Sequence, residues 1–392
     1  MKNFLKKEGD SKLNKKKIST VIAIAIIIIT LIVITIIYIY NKDAREWIDK
    51  EILGKEVLKD NAITIDTKDT STSNIYAFNK YIGILEKNNL SIYGNTGNKE
   101  KELEIQISNP IFNSSNRFLV IGEEKGQNLY LIEDKEIAWK TEIEGNISQI
   151  HVNRNGYVAV IIVDTSYKTV IDMYGPSGER LFKTYLSSTR IADVSISNDN
   201  KYLAIAEIDT SGIKVQSNIK ILSIEDASKN SGEVIKKIYN GEKGDLIINI
   251  NYQDKNNLVC MYTDSIHIIQ NEQDNILADN TDKKVMFQTI NLENNIASIE
   301  EKSTGLFTAD STLNIVNVDS KTTKEYNTKS VTKEIYAYKN IIALNLGTEI
   351  EFINTDGWLV KRYKANQEIT NIAVSNNIAA IIYRDKIEII NL

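Results

Sequence analysis

The chain has 392 residues, of which 42% are hydrophobic and 25% are charged. This composition is typical of folded globular proteins and excludes a chain that is disordered throughout. The formal net charge is −5, and the only cysteine is Cys260. An internal disulfide is therefore excluded, and the stability of the fold must come from its core.

The N-terminal residues 1–17 form a basic tail with seven lysines and two acidic residues, a balance of +5. Residues 18–40 follow as 23 residues without a charged side chain. A helix of this length, at about 1.5 Å per residue, crosses a hydrocarbon core of about 30 Å. The lysine excess predicts a cytoplasmic N-terminus, and no small-residue cleavage site follows the apolar stretch. We therefore expect a retained transmembrane signal anchor in the cell membrane, single-pass, with the rest of the chain outside.

Because the tail carries +5, the remainder of the chain carries −10. A domain of this charge repels phosphate polymers, so neither nucleic acid nor anionic cell-wall polymers are expected as partners. Residues 41–59 join the apolar stretch to the rest, and their apolar side chains fall near helical spacing. This pattern predicts a short amphipathic juxtamembrane stalk with Trp47 at the lipid interface. A plain linker is the alternative.

A four-residue phrase then recurs, in which any residue is followed by an aliphatic, a small and an apolar residue. The copies are spaced 36 to 55 residues apart, a period typical of propeller blades. There are eight copies: Tyr81–Ile84, Phe118–Ile121, Tyr157–Val160, Tyr202–Ile205, Asn257–Cys260, Asn295–Ser298, Ile341–Leu344 and Asn377–Ala380.

Other strands are predicted around each copy. A phrase of the form apolar–polar–apolar–apolar follows the copies and predicts a third strand; it stands at Leu90–Tyr93, Ile219–Leu222, Ile266–Ile269, Leu313–Val316, Ile350–Ile353 and Ile387–Ile390. A first strand precedes the copies, as at Ile147–Val152, Val194–Ser197, Ile247–Asn251 and Ile369–Val374. Turns rich in Gly and Asn lead to an outer strand. Each unit thus has the four strands of a propeller blade.

Residues 60–392 are therefore predicted to form an all-β domain, an eight-bladed β-propeller, preceded by a single N-terminal transmembrane helix. Seven blades, a β-solenoid or two β-sandwiches are the alternatives. The last unit stops at Leu392 after its third strand. The strand Ala62–Ile65 lies before the first unit, and we expect it to complete the last blade, which would remove an open sheet edge.

Two turns resemble those of known propellers. Ser195–Ala204 is similar to the turn between the first and second strands of WD40-like and quinoprotein-like propellers, and Asn354–Trp358 is similar to their turn between the third and fourth strands. The resemblance covers residues 62–392 and implies the fold alone. With the anchor included, the layout is similar to that of membrane-anchored propellers of Gram-positive bacteria, a family of unknown function, and implies no activity.

The sequence contains no Gly-x-Ser-x-Gly elbow, no phosphate-binding glycine loop and no cysteine pair at metal-ligand spacing. Its two histidines, His151 and His267, lie in predicted strands, whereas a metal site needs several clustered ligands. We therefore predict no catalytic residue, no cofactor and no metal. Cys260 lies on a repeated strand, where a buried and unreactive thiol is expected.

Acidic residues recur shortly after the small position of the repeated phrase: Glu86, Glu123, Glu207 and Glu300 three residues later, and Asp164 and Asp264 slightly further on. If all second strands end on one face, these carboxylates form a partial ring there. One interpretation is that they only solvate the strand ends. The sharper interpretation is an acidic binding rim that attracts cations or a basic partner by long-range steering.

The sequence as a whole predicts a membrane-anchored extracytoplasmic propeller that acts as a non-enzymatic binding or scaffold module for a protein or another cell-surface partner. The alternative is a surface carbohydrate-active enzyme that uses carboxylates of the rim. Such an enzyme would need two acids about 5 to 9.5 Å apart, at least one of them with a raised pKa.

Overall fold

The chain divides into two compact units, residues 1–56 and 57–392. The computed structural model describes residues 15–53, 55–57, 62–66, 74–163, 166–243, 245–253, 257–303, 309–328 and 330–392.

The first unit is helical. It contains α1 (Lys15–Tyr40), α2 (Lys42–Trp47) and a π-helix (Ile48–Ile52). Within α1, the segment Thr20–Tyr40 is long and apolar enough to cross a membrane. It fits a membrane anchor or a signal sequence.

Polar contacts fix the end of this unit. The side chain of Asn41 caps α2 by accepting a hydrogen bond from the backbone N–H of Ala44 (3.0 Å). The buried Asp49 carboxylate accepts a hydrogen bond from the Tyr38 hydroxyl (2.6 Å) and lies 2.9 Å from the Lys55 ammonium. The contacts of Asp49 therefore link the end of α1, the π-helix and Lys55.

The second unit is a ring of eight blades, each with four antiparallel strands, and the sheet of one blade has a fifth strand. Two short strands come first in the chain, β1 (Glu56–Val57) and β2 (Ile63–Asp66). The first four blades, from the innermost strand outwards, are β3 (Ile75–Phe78), β4 (Tyr81–Glu86), β5 (Asn89–Tyr93) and β6 (Lys99–Glu104); β7 (Pro110–Ser115), β8 (Phe118–Glu123), β9 (Asn128–Glu133) and β10 (Glu136–Glu142); β11 (Asn146–Val152), β12 (Val158–Val163), β13 (Thr169–Tyr174) and β14 (Arg180–Leu186); and β15 (Arg190–Ile196), β16 (Tyr202–Asp209), β17 (Gln216–Ser223) and β18 (Ile235–Lys243).

A short helix, α3 (Ile224–Lys229), lies between β17 and β18. The other four blades are β19 (Ile247–Tyr252), β20 (Leu258–Tyr262), β21 (Ser265–Gln270) and β22 (Gln273–Asp279); β23 (Val285–Thr289), β24 (Asn295–Ser303), β25 (Ala309–Asn317) and β26 (Thr323–Asn327); β27 (Glu334–Tyr338), β28 (Ile341–Asn345), β29 (Glu349–Asn354) and β30 (Leu359–Lys364); and β31 (Asn371–Val374), β32 (Ile378–Ile382) and β33 (Lys386–Asn391), with β2 as the outermost strand. The prediction of eight blades is confirmed, and the alternatives with seven blades, a solenoid or two sandwiches are excluded.

The predicted closure of the ring by an N-terminal strand is also confirmed. Strand β2 pairs antiparallel with β33, so that Ile63 lies opposite Ile389 and Ile65 opposite Ile387. Ile63 also packs on the turn at Gly97 in the first blade, where φ is +68° and an added Cβ would lie 2.5 Å from the isoleucine. One strand therefore covers the open edge of the last blade and contacts the first.

The core is a series of apolar clusters between neighbouring blades. The cluster between the second and third blades, for example, joins Leu131, Ile150 and Val160, all of them buried. Cys260 is fully buried in the fifth blade, and burial raises the pKa of its thiol well above the ordinary value. The expectation of a buried thiol is confirmed, and its raised pKa disfavours the reactive thiolate.

Candidate functional site

The ends of the second strands define one face of the ring. In every blade the second strand runs antiparallel to the innermost strand, and all eight innermost strands surround the axis. Because the blades are connected in the same way, their turns between the second and third strands emerge on a common face.

The predicted acidic residues differ in their environments. Glu86 is exposed at the last residue of β4, and Asp264 is exposed at the turn that follows β20. Glu300 is 34% exposed and lies 4.0 Å from the ammonium of Lys283. Glu123 accepts hydrogen bonds from the backbone N–H of Ser108 (3.1 Å) and from the side-chain amide of Asn128 (2.8 Å). Asp164 lies outside the described residues.

Glu207 has the same register but a different environment. It is 1% exposed, and its carboxylate lies 2.8 Å from the ammonium of Lys220 on the neighbouring strand β17. Strand β16 continues for two residues beyond Glu207, whereas β4 and β8 end at the corresponding glutamate. Strand β24 likewise continues beyond Glu300, which is partly exposed, so the length of the strand does not explain the burial. Glu207 is buried beside Lys220 and is not part of a solvent-exposed surface.

The innermost strands enclose a central channel of about 900 Å³. Its wall is mainly uncharged and polar, and includes eight asparagines. Many of these polar side chains connect neighbouring blades. Asn113 accepts a hydrogen bond from Val152 N–H (3.0 Å), and Ser195 accepts one from Tyr252 N–H (2.9 Å).

His151 and Asp193 form a further connection in the channel. The imidazole Nε2 of His151 lies 3.1 Å from Asp193 Oδ1, and Asp193 Oδ2 accepts a hydrogen bond from Ile250 N–H (2.8 Å). Burial lowers the pKa of His151, which the Asp193 carboxylate opposes, and burial raises the pKa of Asp193. His151 thus links the third and fourth blades, consistent with the structural role expected for it.

We expect the His151 imidazole to titrate below its ordinary pKa of about 6.5. The unfolded chain then binds the proton more readily, so the contribution of His151 to stability falls as the pH drops below about 6.5. Replacing Asp193→Asn removes the attraction and should lower this pKa further. NMR titration of the imidazole resonances measures the pKa of His151. The variant His267→Gln removes the other histidine and so assigns the signals. Titration of His151 above about 6.5 would contradict the expectation.

Sequence reasoning did not anticipate buried charges on the third strands. Asp172, Glu351 and Glu388 occupy the polar position of the repeated third-strand pattern, and each is less than 5% exposed. Glu351 accepts hydrogen bonds from the guanidinium of Arg362, the shorter of 2.8 Å. His267 holds the same position in the fifth blade, 2.9 Å from Asp274 Oδ1. The recurrence of a polar residue was visible in the sequence, but its burial was not.

Glu388 joins the last two blades. Its carboxylate accepts hydrogen bonds from the hydroxyls of Tyr363 and Tyr383, which lie 2.7 Å from each other, and pairs with Lys386. Burial raises the pKa of Asp172 as well as that of Asp193. These two carboxyl groups lie on a third and an innermost strand, away from the ends of the second strands.

A family model matches residues 56–392 and is described as a family of unknown function, DUF5711. The chain belongs to the DUF5711 family. Among curated proteins, none matches it.

Solved structures with the same fold are numerous. The C-terminal WD40 domain of Sif2 superposes with a TM-score of 0.58 at 13% identity, covering 86% of this chain and 99% of that one. Sqt1 of Chaetomium thermophilum, bound to the N-terminus of the ribosomal protein L10, gives 0.51 at 10% identity and covers 84% and 99%. BamB from Moraxella catarrhalis gives 0.49 at 11% identity and covers 84% and 100%. The similarity to Sif2 and Sqt1 shows that this DUF5711 member shares the propeller fold, and at these identities it shows the fold alone.

Proposed function

We propose that this DUF5711 protein is a membrane-anchored, extracytoplasmic binding module that attracts a cationic protein partner to one face of its propeller. The proposal depends mainly on the recurrence of carboxylates three to five residues after the small position of the second strands. We define the acidic rim as the members of this set that the structure describes outside the core, Glu86, Glu123, Asp264 and Glu300. Sqt1 offers a precedent of fold, since it is bound to a segment of another protein.

In this proposal, residues 18–40 anchor the chain in the cell membrane, the basic tail stays in the cytoplasm, and the propeller lies outside. The charge asymmetry around the apolar helix supports this orientation. We expect protease added to intact cells to remove the propeller. Lysed cells are the control, because there the protease reaches both sides of the membrane. A propeller that is protected in intact cells but digested after lysis would contradict the orientation.

The rim is tested by removing its exposed charges. In the triple variant Glu86→Gln, Asp264→Asn and Glu300→Gln, the association rate with a lysine hexapeptide at low salt should fall by about threefold or more. The reason is that electrostatic steering acts on the association rate. The difference should disappear near 1 M salt, where the Debye length falls to about 3 Å. Stopped-flow measurements over a range of salt concentrations give both quantities.

A matched control removes the same charge from the opposite face. Glu272→Gln and Asp356→Asn alter carboxylates at turns between third and fourth strands, and Glu100→Gln alters one near the start of the outer strand β6. This variant should associate at nearly the wild-type rate. Equal slowing in both triple variants would show that net charge alone is responsible and would overturn the proposed rim.

A further inference from the structure

The central channel has the features of a ligand site that is separate from the acidic rim. Its volume of about 900 Å³ is within the range of small-molecule sites, and its wall presents mostly amides and hydroxyls. The charged side chains on the wall are balanced in number, with Asp193 and Glu293 against Arg154 and Lys339. Asp193 lies beside His151, and the Lys339 ammonium lies 3.7 Å from a carboxylate oxygen of Glu293. The channel therefore favours an uncharged ligand.

Two carbonyl oxygens on the wall lack hydrogen-bond donors. The side-chain amide nitrogen of Gln253 donates to the backbone carbonyls of Ile290 and Asn295, both at 2.9 Å. These two bonds fix the amide, yet its oxygen is buried without a partner in a residue that is 3% exposed. The side-chain oxygen of Asn249 is buried without a partner as well. A buried acceptor without a donor costs about 1–3 kcal/mol, so both oxygens favour a ligand that donates hydrogen bonds.

An aromatic ring on the same wall is only partly covered. Phe112 is 43% exposed, although it lies on the innermost strand β7. Its ring contacts Tyr76 with the centroids 4.3 Å apart. The exposed part of the ring is available to an apolar surface of a ligand, and covering it would be favourable.

We propose that the central channel binds a neutral glycan. A sugar ring combines the properties that the wall requires, because it is uncharged, its hydroxyls donate to carbonyl oxygens, and its C–H face packs on an aromatic ring. In this arrangement Phe112 covers one face of a sugar, while Gln253 and Asn249 accept hydrogen bonds from hydroxyls. The two hydrogen bonds of the Gln253 amide hold its oxygen in place before the ligand arrives.

Calorimetric titration of the full-length protein in detergent with cellohexaose, chitohexaose and maltohexaose tests the proposal. At least one of the three should bind. Phe112→Leu should weaken that binding about tenfold, which corresponds to about 1.4 kcal/mol. Asn249→Ala should also weaken it. The control is Tyr185→Leu. Tyr185 is a half-exposed aromatic residue on the outer strand β14, outside the channel, and its ring centroid lies 4.7 Å from that of Tyr167.

Unchanged affinity in Tyr185→Leu together with weakened affinity in Phe112→Leu and Asn249→Ala supports the proposal. Absence of binding for all three oligosaccharides overturns it, and so does binding that neither channel variant affects. A neutral hexapeptide of alternating Ala and Ser serves as the competing ligand. If this peptide binds in a manner sensitive to Phe112→Leu and the oligosaccharides do not, the channel is a peptide site and the glycan assignment is wrong.

Discussion

Replacing Ile63–Asp66 by Gly-Ser-Gly-Ser should destabilise the propeller by roughly 4 to 6 kcal/mol. The change removes two half-buried isoleucines, at about 1 to 1.5 kcal/mol each, and several strand-pairing hydrogen bonds, at about 0.5 to 1 kcal/mol each. Native domains are stable by only about 5 to 15 kcal/mol, so a large part of the total would be lost. The edge of β33 would also be open to pairing with another chain. Denaturant unfolding and size-exclusion chromatography measure both effects.

The chain offers a control of equal length. Replacing Ser211–Lys214 by the same four residues alters an exposed turn between β16 and β17 and should leave the unfolding midpoint nearly unchanged. A closing-strand variant that remains monomeric, with the stability of this control, would show that the ring does not need the strand.

Replacing Arg362→Met should cost about 3 to 5 kcal/mol, because it leaves the buried carboxylate of Glu351 without its cation. Both side chains are largely buried, at 8% and 4% exposure, and Arg362 also lies 2.9 Å from a carboxylate oxygen of Glu349. The double variant Arg362→Met and Glu351→Met removes both charges and should be more stable than the single variant, since apolar residues of similar volume replace a buried ion pair at little cost.

Urea unfolding of the wild type, the two single variants and the double variant forms a complete cycle for this pair. A double variant that is as unstable as the sum of the two single variants would mean that the pair is not coupled. Lys99→Met, which disrupts an exposed ion pair with Glu102, supplies the comparison for a surface contact and should have little effect.

Local patterns were sufficient to predict much of the fold. The spacing of the small-residue phrase predicted the second strand of every blade, because neighbouring blades need the same packing at each repeat. The strand before the first unit predicted the closure, since β33 would otherwise leave an open edge. The third-strand pattern predicted a polar residue at positions such as Glu351 and Glu388. It gave no information about the groups that surround these side chains.

The environment of single side chains depended on the tertiary structure. Glu86 and Glu207 occupy the same position of the repeat, yet the first is exposed and the second is buried beside Lys220. His151 and Asp193 come from different blades, and no periodicity connects them. The sequence by itself determined the repeated strands and predicted eight blades and the closing strand, since these follow from alternation and repeat length. Only the tertiary structure decided which polar groups are buried, paired or open, because blades far apart in sequence supply their partners.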